Sequence, residues 1–309
     1  MLIKKLAEEY AAITYFVVET EKLFLCVTDL FIQRSGVETF DKLDLNAVIR
    51  FKNATLGVAK PVTFNGYLKY LRVLGDYAVN NGHLEKNYFR ALKTAPVGKK
   101  LFRVLENEPI LQAIDILRRE ADEYPDADFW IGVIKTLYYT GMRRRQLAAL
   151  QVGDVKSDQN MIILSYRGSK THREWSIPIH PLLKPTIENL LHNLRHRLGR
   201  PLKDSDPVFN FVFVGKPYKP DPLRPNALQP TTISDFFKRF KNKTGIHLSA
   251  HRFRHTFATN LCNPDEGSPD ILVVQQMLGH TTLSTTKEYV HTRPERMAQA
   301  IKGLSLNRK

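Results

Sequence analysis

The chain has 309 residues, 43% of them hydrophobic and 25% charged, which is enough for two globular domains with cores of their own. A net charge of +15 and an isoelectric point near 9.7 favour a polyanionic partner, nucleic acid ahead of an acidic membrane surface. Only Cys26 and Cys262 occur, far apart and without metal-ligand spacing, which excludes a disulfide framework or a cysteine zinc site.

In the first ten residues the acidic Glu8 and Glu9 stand where a signal peptide needs an uninterrupted apolar core, and no apolar window reaches the length of a membrane span. A soluble protein of the reducing cytoplasm is expected. Leu6, Tyr10, Ile13, Phe16, Val17, Phe24 and Leu25 then recur at helical spacing up to a stop at Ser35-Gly36, predicting a first helix broken at most once. A second begins after Asp44 and runs through Val48, Ile49 and Phe51 toward Gly57. Pro61 opens a third, with Phe64, Leu68, Leu71, Leu74 and Tyr77 on one face until Asn80-Asn81-Gly82. Leu84 to Leu92 reads as a short fourth. With no strand pattern before residue 100, residues 1–95 are expected to form a small all-helical domain. Its Lys60, Lys69, Arg72, Lys86, Arg90 and Lys93 fit a solvated helix face or a DNA contact equally well. Pro96, Gly98, Lys99 and Lys100 mark 96–103 as a linker whose charge suits a phosphate backbone, leaving 104–309 as a second domain.

There, Glu108 to Ala121 and Asp126 to Tyr139 read as amphipathic helices, the second with Trp130, Ile131, Val133, Ile134 and Leu137 as core. Thr140-Gly141 breaks it and delivers Arg143, Arg144 and Arg145 to the next helix start, pointing three ways. Cations oppose the helix dipole at that end, so an anion is expected to compensate them. From Met161 to Tyr166 and from Glu174 to Pro178 the pattern turns to β-branched alternation, a hairpin whose basic tip holds Lys170 and Arg173. A helix starting between Pro181 and Pro185 should run to about Leu198. Gly215 to Pro230, rich in proline, reads as a surface loop over DNA or a partner subunit. Thr231 to Thr244 is a helix with a basic side at Lys238, Arg239, Lys241 and Lys243.

The densest chemistry runs from His251 to Tyr289. Three apart on a helix, His251 and Arg254 should project together, with Arg252 and His255 turned elsewhere. Gly279 ends the helix of Ile271, Leu272, Val274, Gln275 and Leu278, placing His280 at the start of a new turn, and Tyr289 follows. With a free pKa of ~10, a tyrosine serves as nucleophile only beside a base and cations, and both are at hand. His251 and His255 also have the spacing of a helical zinc pair. Arg252 stands where a zincin has glutamate, and two arginines repel a divalent cation, so no metal is expected.

The order His251-x-x-Arg254, Leu278-Gly279-His280, Tyr289, with Thr140-Gly141-Met142-Arg143 and the hairpin Lys170 upstream, resembles the tyrosine recombinases, the phage-integrase-type enzymes. The resemblance implies an all-α, SAM-like core-binding domain that grips DNA, then a mixed α+β, mainly helical catalytic domain with a small β-hairpin or sheet, the DNA breaking-rejoining fold. It implies strand transfer without metal or cofactor: Tyr289 attacks the scissile phosphate, Arg143 and Arg254 hold its oxygens, and Lys170 protonates the leaving 5′ oxygen. His251 takes the tyrosine proton and His280 hydrogen-bonds the phosphate, roles that are exchangeable. DNA contacts are expected at Lys60, Lys69, Arg72, Lys99, Lys100, Arg173, Lys238 and Lys241. Gln146 departs from the family, which commonly has an acidic residue there; its amide can orient a neighbour but cannot balance charge. Implied partners are two duplex recombination sites, a homotetramer with a dimer on each site, and accessory directionality factors, all at the nucleoid. A type IB topoisomerase and a DNA-binding accessory protein with a decayed site are the alternatives. A tail helix is expected from Pro294-Glu295 to Gly303, its Met297, Ala298 and Ile301 docking on this domain or on a neighbouring protomer.

Overall fold

The computed structural model describes residues 1–98, 104–120, 122–124, 126–168, 173–215, 226–263, 270–287 and 289–290. Lys99 and Lys100, Lys170, most of the proline-rich loop and the expected tail helix lie outside them. The chain divides into two compact units, Met1–Leu101 and Phe102–Lys309.

In the first unit the helices are α1 (Ile3–Ile13), α2 (Val18–Ser35), α3 (Leu45–Leu56) and α4 (Pro61–Asn80). The predicted first helix is broken once, at extended Thr14 and Val17, and Phe16 turns inward onto Tyr10 and Phe24 with ring centroids 5.9 and 5.5 Å away. Asp44 caps α3 by accepting the Ala47 N–H at 2.7 Å, and Pro61 needs no partner in the first turn of α4. The expected fourth helix shrinks to a 3-10 turn, Tyr88–Ala91. Asn87 diverts it: Oδ1 accepts from Phe89 N–H, while Nδ2 donates to the Arg72 carbonyl and to Asp76. Phe24, Phe31, Phe51, Phe64 and Phe89 are fully buried, each contributing roughly 1.5–3 kcal/mol.

The second unit contains α5 (Asn107–Arg119), α6 (Ala127–Thr140), α7 (Arg144–Ala149), strands β1 (Val155–Lys156), β2 (Met161–Leu164) and β3 (Trp175–Pro178), α8 (Lys184–Leu198), α9 (Pro230–Thr244), α10 (Ala250–Cys262), α11 (Ile271–Leu278) and α12 (Leu283–Lys287). The strands form one antiparallel sheet, β1-β2-β3, with Ile162 opposite Ile177 and Leu164 opposite Trp175. β1 was not anticipated, since two residues carry no periodicity. α6 is buried nearly all round and packs against α5, α8 and α10, with Trp130 stacked on Phe236 of α9 at 3.7 Å. α9 buries Ile233, Phe236, Phe237 and Phe240 and leaves Lys238 and Lys241 exposed. The loop leading into it is tied down at its end, where Leu228 N–H donates to the Phe209 carbonyl. Among the described residues no helix is long and apolar enough to cross a membrane.

Candidate active site

Arg143 enters through a turn and a cap. α6 stops at Gly141, and Arg143 follows in extended geometry as the residue capping α7. Gln146 Oε1 accepts the Arg143 N–H at 2.8 Å while the Gln146 N–H returns to the Arg143 carbonyl at 2.8 Å. This reciprocal pair resembles a capping box and fixes where Arg143 leaves the backbone. Gln146 is 3% exposed, and its Nε2 has no hydrogen-bond partner among the described residues. Burial lowers the pKa of Arg143, with Tyr289 acting in the opposite direction. The neighbouring Arg144 bonds the Ser234 hydroxyl on α9.

Arg254 arrives on α10, whose first turn is capped by Ser249 Oγ accepting the Arg252 N–H. Only 7% exposed, Arg254 donates from Nη1 to the Gly141 carbonyl at 3.0 Å, and from Nη2 to the Leu278 carbonyl at 2.7 Å and to His280 Nε2 at 3.0 Å. Arg254 thus bridges the end of α6 and the end of α11. A guanidinium only donates, so Nε2 of His280 is the acceptor and Nδ1 carries the proton, facing Thr286 Oγ at 2.9 Å. Burial, and then the charges of Arg254 and Arg143, bring His280 down to about 4, so the ring is neutral near pH 7. Burial and the charge of Arg143 bring Arg254 to about 9, opposed by Tyr289, and it stays cationic there.

His251 and Arg254 both line one cavity of about 490 Å³, together with Arg143, Arg144, Arg145, Gly168, Ser234, Ser249 and Ala250. His255, however, is not turned elsewhere. Its Nε2 lies 2.6 Å from His251 Nε2, so one ring donates and the other accepts, and its ring centroid is 5.2 Å from that of Tyr289. His280 also stacks with Tyr289, its ring centroid 5.9 Å away at 17° between planes. Tyr289 is 6% exposed, in an apolar cluster with Ala258, Cys262, Val274 and Leu278. Its backbone is held twice, by N–H to the Thr286 carbonyl and by Asn263 Nδ2 donating to its own carbonyl at 2.9 Å.

Lys170 lies outside the described residues, but described residues on both sides of it in the chain are held in place. On one side Arg167 Nη2 pairs with Asp154 at 2.6 Å, and Gly168 packs on Gln146 so closely that a Cβ would sit 2.6 Å from the Gln146 Cα. On the other, Trp175 Nε1 donates to the Met277 carbonyl at 3.1 Å and its ring covers Gly279. Arg173 is exposed. The described residues on the two sides of 169–172 thus pack against Gln146, beside Arg143, and against Gly279, beside the Leu278 carbonyl that receives Arg254.

In the first unit Lys60 and Lys69 are exposed, whereas Arg72 donates to the carbonyls of Phe89 and Leu92 and ties the 3-10 turn to α4. Sequence reasoning missed His255, Thr286, Asn263 and Trp175. For His255 the signal was present in its i,i+4 relation to His251; the other three act through contacts that no spacing announces. Among the described residues no three His, Cys, Asp or Glu side chains gather as a metal cluster.

Residues 103–296 match the model of the phage integrase family. A XerC tyrosine recombinase assigned in Pseudomonas syringae is 26% identical over 301 residues, 94% of this chain, and the match spans only 61% of that relative's length. The tyrosine recombinase XerC of Corynebacterium efficiens is 30% identical over 235 residues, 75% of this chain and 68% of that one. Among solved structures, the Tn1549 transposon integrase in complex with a circular intermediate DNA is similar at a TM-score of 0.72, with 17% identity over 98% of this chain and 100% of that one. A lambda integrase dimer bound to a core site is similar at a TM-score of 0.70, with 17% identity over 95% of this chain and 97% of that one. At such identity the likeness is one of fold.

Proposed function

Because the chain belongs to the phage integrase family, we propose that it is a tyrosine-type site-specific recombinase that cuts and rejoins duplex DNA through a 3′-phosphotyrosine, without metal or cofactor. The observation that carries this reading is Tyr289 held beside His255 and His280, in electrostatic reach of both Arg143 and Arg254. In the forward step Tyr289 Oη bonds to the scissile phosphorus and the bond to the 5′ oxygen breaks. The tyrosine proton passes to His251, whose partner His255 lies against the Tyr289 ring. Lys170 gives its proton to the leaving oxygen, releasing a 5′-hydroxyl. Arg143 and Arg254 stabilise the charge gathering on the non-bridging oxygens, and losing either should slow cleavage by ~10²–10³. For His280 the geometry supports a role one step back from direct phosphate bonding, as the acceptor that holds Arg254 in place.

The wider reading follows from the charge and the family. Residues 1–95 and the linker bring Lys60, Lys69, Lys99 and Lys100 to the phosphate backbone, and Arg173, Lys238 and Lys241 extend the contact from the catalytic unit. Two duplex sites, each with a dimer, assemble a tetramer that passes through a Holliday junction, with accessory factors setting direction at the nucleoid. A nicked suicide substrate that prevents religation tests the core of this. Wild-type protein should accumulate as a covalent adduct on the 3′ phosphate, and Tyr289→Phe should bind the same DNA without forming one. An adduct that persists in Tyr289→Phe would place the nucleophile elsewhere.

A further inference from the structure

Arg143 and Arg254 face the phosphate, and a buried hydroxyl stands behind them. Thr286, on α12, is 0% exposed, and its Oγ lies 2.9 Å from His280 Nδ1. A neutral imidazole presents one donor and one acceptor nitrogen, and the partner of one nitrogen decides the character of the other. Here Arg254 Nη2 needs an acceptor at Nε2. That requirement is met only if the proton sits on Nδ1, and a proton there, on a ring only 7% exposed, needs an acceptor of its own. The Thr286 hydroxyl is that acceptor. The same residue's backbone carbonyl receives the Tyr289 N–H at 3.1 Å, so it touches the phosphate-holding side and the nucleophile's segment at once.

We propose that Thr286 is a positioning residue: its hydroxyl selects the His280 tautomer whose Nε2 holds the Arg254 guanidinium in the geometry that receives the scissile phosphate. Three of the five guanidinium N–H groups of Arg254 are engaged, with Gly141, Leu278 and His280, which leaves Nε–H and one Nη1–H, pointing in different directions, either of which can donate to a phosphate. Without the hydroxyl, the proton moves to Nε2, where it confronts an Arg254 N–H instead of accepting it. The guanidinium then turns, and its remaining donors are no longer aimed at the phosphate. This role rests on the recombinase reading for the meaning of the phosphate, whereas the tautomer rests on the hydrogen bonds of His280 alone.

The test is the pair Thr286→Val and Thr286→Ser, read by single-turnover adduct formation on the suicide substrate, by DNA affinity, and by the ring-nitrogen chemical shifts of His280. Valine keeps the shape and removes the hydroxyl; serine restores it. Thr286→Val should slow adduct formation about tenfold, the effect of one lost hydrogen bond, with affinity unchanged, and Thr286→Ser should recover most of the rate. The DNA-free wild type should show its proton on Nδ1. In a His280→Gln background, Thr286→Val should slow the reaction no further. Equal slowing in both backgrounds, a wild-type rate in Thr286→Val, or a DNA-free proton on Nε2 would each overturn the proposal. If Thr286→Val fails to fold, the Nδ1 assignment in wild type and the Thr286→Ser rate still decide it. Absence of any wild-type adduct would instead count against the recombinase reading, so the two failures are distinguishable.

Discussion

Gly279 is the residue at which the packing between β3 and the end of α11 can be weighed most directly. Its φ is +60°, and a methyl on its Cα would lie 2.8 Å from Trp175 Cε2 and nearer still to the outer ring atoms. Gly279→Ala therefore meets two costs: about 1–2 kcal/mol for a left-handed alanine, and about 1–3 kcal/mol for pushing the indole out of a filled site. Gly199 supplies the control, with φ +63° and nothing within 4 Å of an added Cβ, so Gly199→Ala meets only the first. With roughly 2–4 °C of melting temperature per kcal/mol for a unit of this size, calorimetry should separate the two variants by several degrees. Trp175→Ala should shrink that separation, because a double-mutant cycle removes the steric part and leaves the backbone part. The cost should also reach the chemistry, since Leu278 and His280, on either side of Gly279, both receive Arg254. Adduct formation by Gly279→Ala should fall well below that of Gly199→Ala while DNA binding stays comparable. Equal melting temperatures for the two variants would refute the claim that the indole is seated on Gly279.

Gln146→Leu removes the acceptor of the Arg143 N–H and should cost about 1–3 kcal/mol, whereas Gln146→Glu keeps the acceptor, drops the unpartnered Nε2 and should retain activity; urea melts and adduct assays read both. His280 is held neutral in the fold, about 4 against 6.5 for the free side chain, so the unfolded state binds the extra proton between those values. Stability from this group is complete above about pH 6.5 and is lost as the pH falls toward 4, and His280→Gln should flatten that part of the pH–stability curve. Lys170→Ala should slow cleavage of ordinary DNA by ~10²–10⁴ yet spare a substrate with sulfur at the bridging 5′ position, whose leaving group needs no proton; an equal defect on both would limit Lys170 to binding. Adduct formation should survive EDTA, and DNA affinity should fall steeply with salt, measured by titration over a range of ionic strength.

Much of this fold was legible because its helices announce their ends locally. Asp44, Pro61, Gly141 and Gly279 each fix a boundary through a cap or a turn that requires only the residues beside it. Where distant groups intervene, local reading fails. The 84–92 helix yields to Asn87, which is captured by Arg72 and Asp76 from α4, and β1 exists only through its pairing with β2. Arg143, Arg254, His280 and Tyr289 could be singled out as candidates by type and order, but their wiring could not. A helical wheel puts His255 away from Arg254 and is silent about Tyr289, which reaches it from another element. Likewise Arg72 looks like a surface cation until the carbonyls of Phe89 and Leu92 are seen beneath it.

The seat of Trp175 also gives the protein an optical property. Tryptophan occurs twice, and Trp130 lies stacked on Phe236 in the core, remote in environment from Trp175 with its N–H on the Met277 carbonyl and its ring on Gly279. Indole emission shifts with the polarity around the ring, so Trp130→Phe would leave a single emitter seated one residue from His280. Any displacement of Leu278 or His280 as a phosphate engages Arg254 would then be seen as a change in colour or intensity, in stopped flow and without a label.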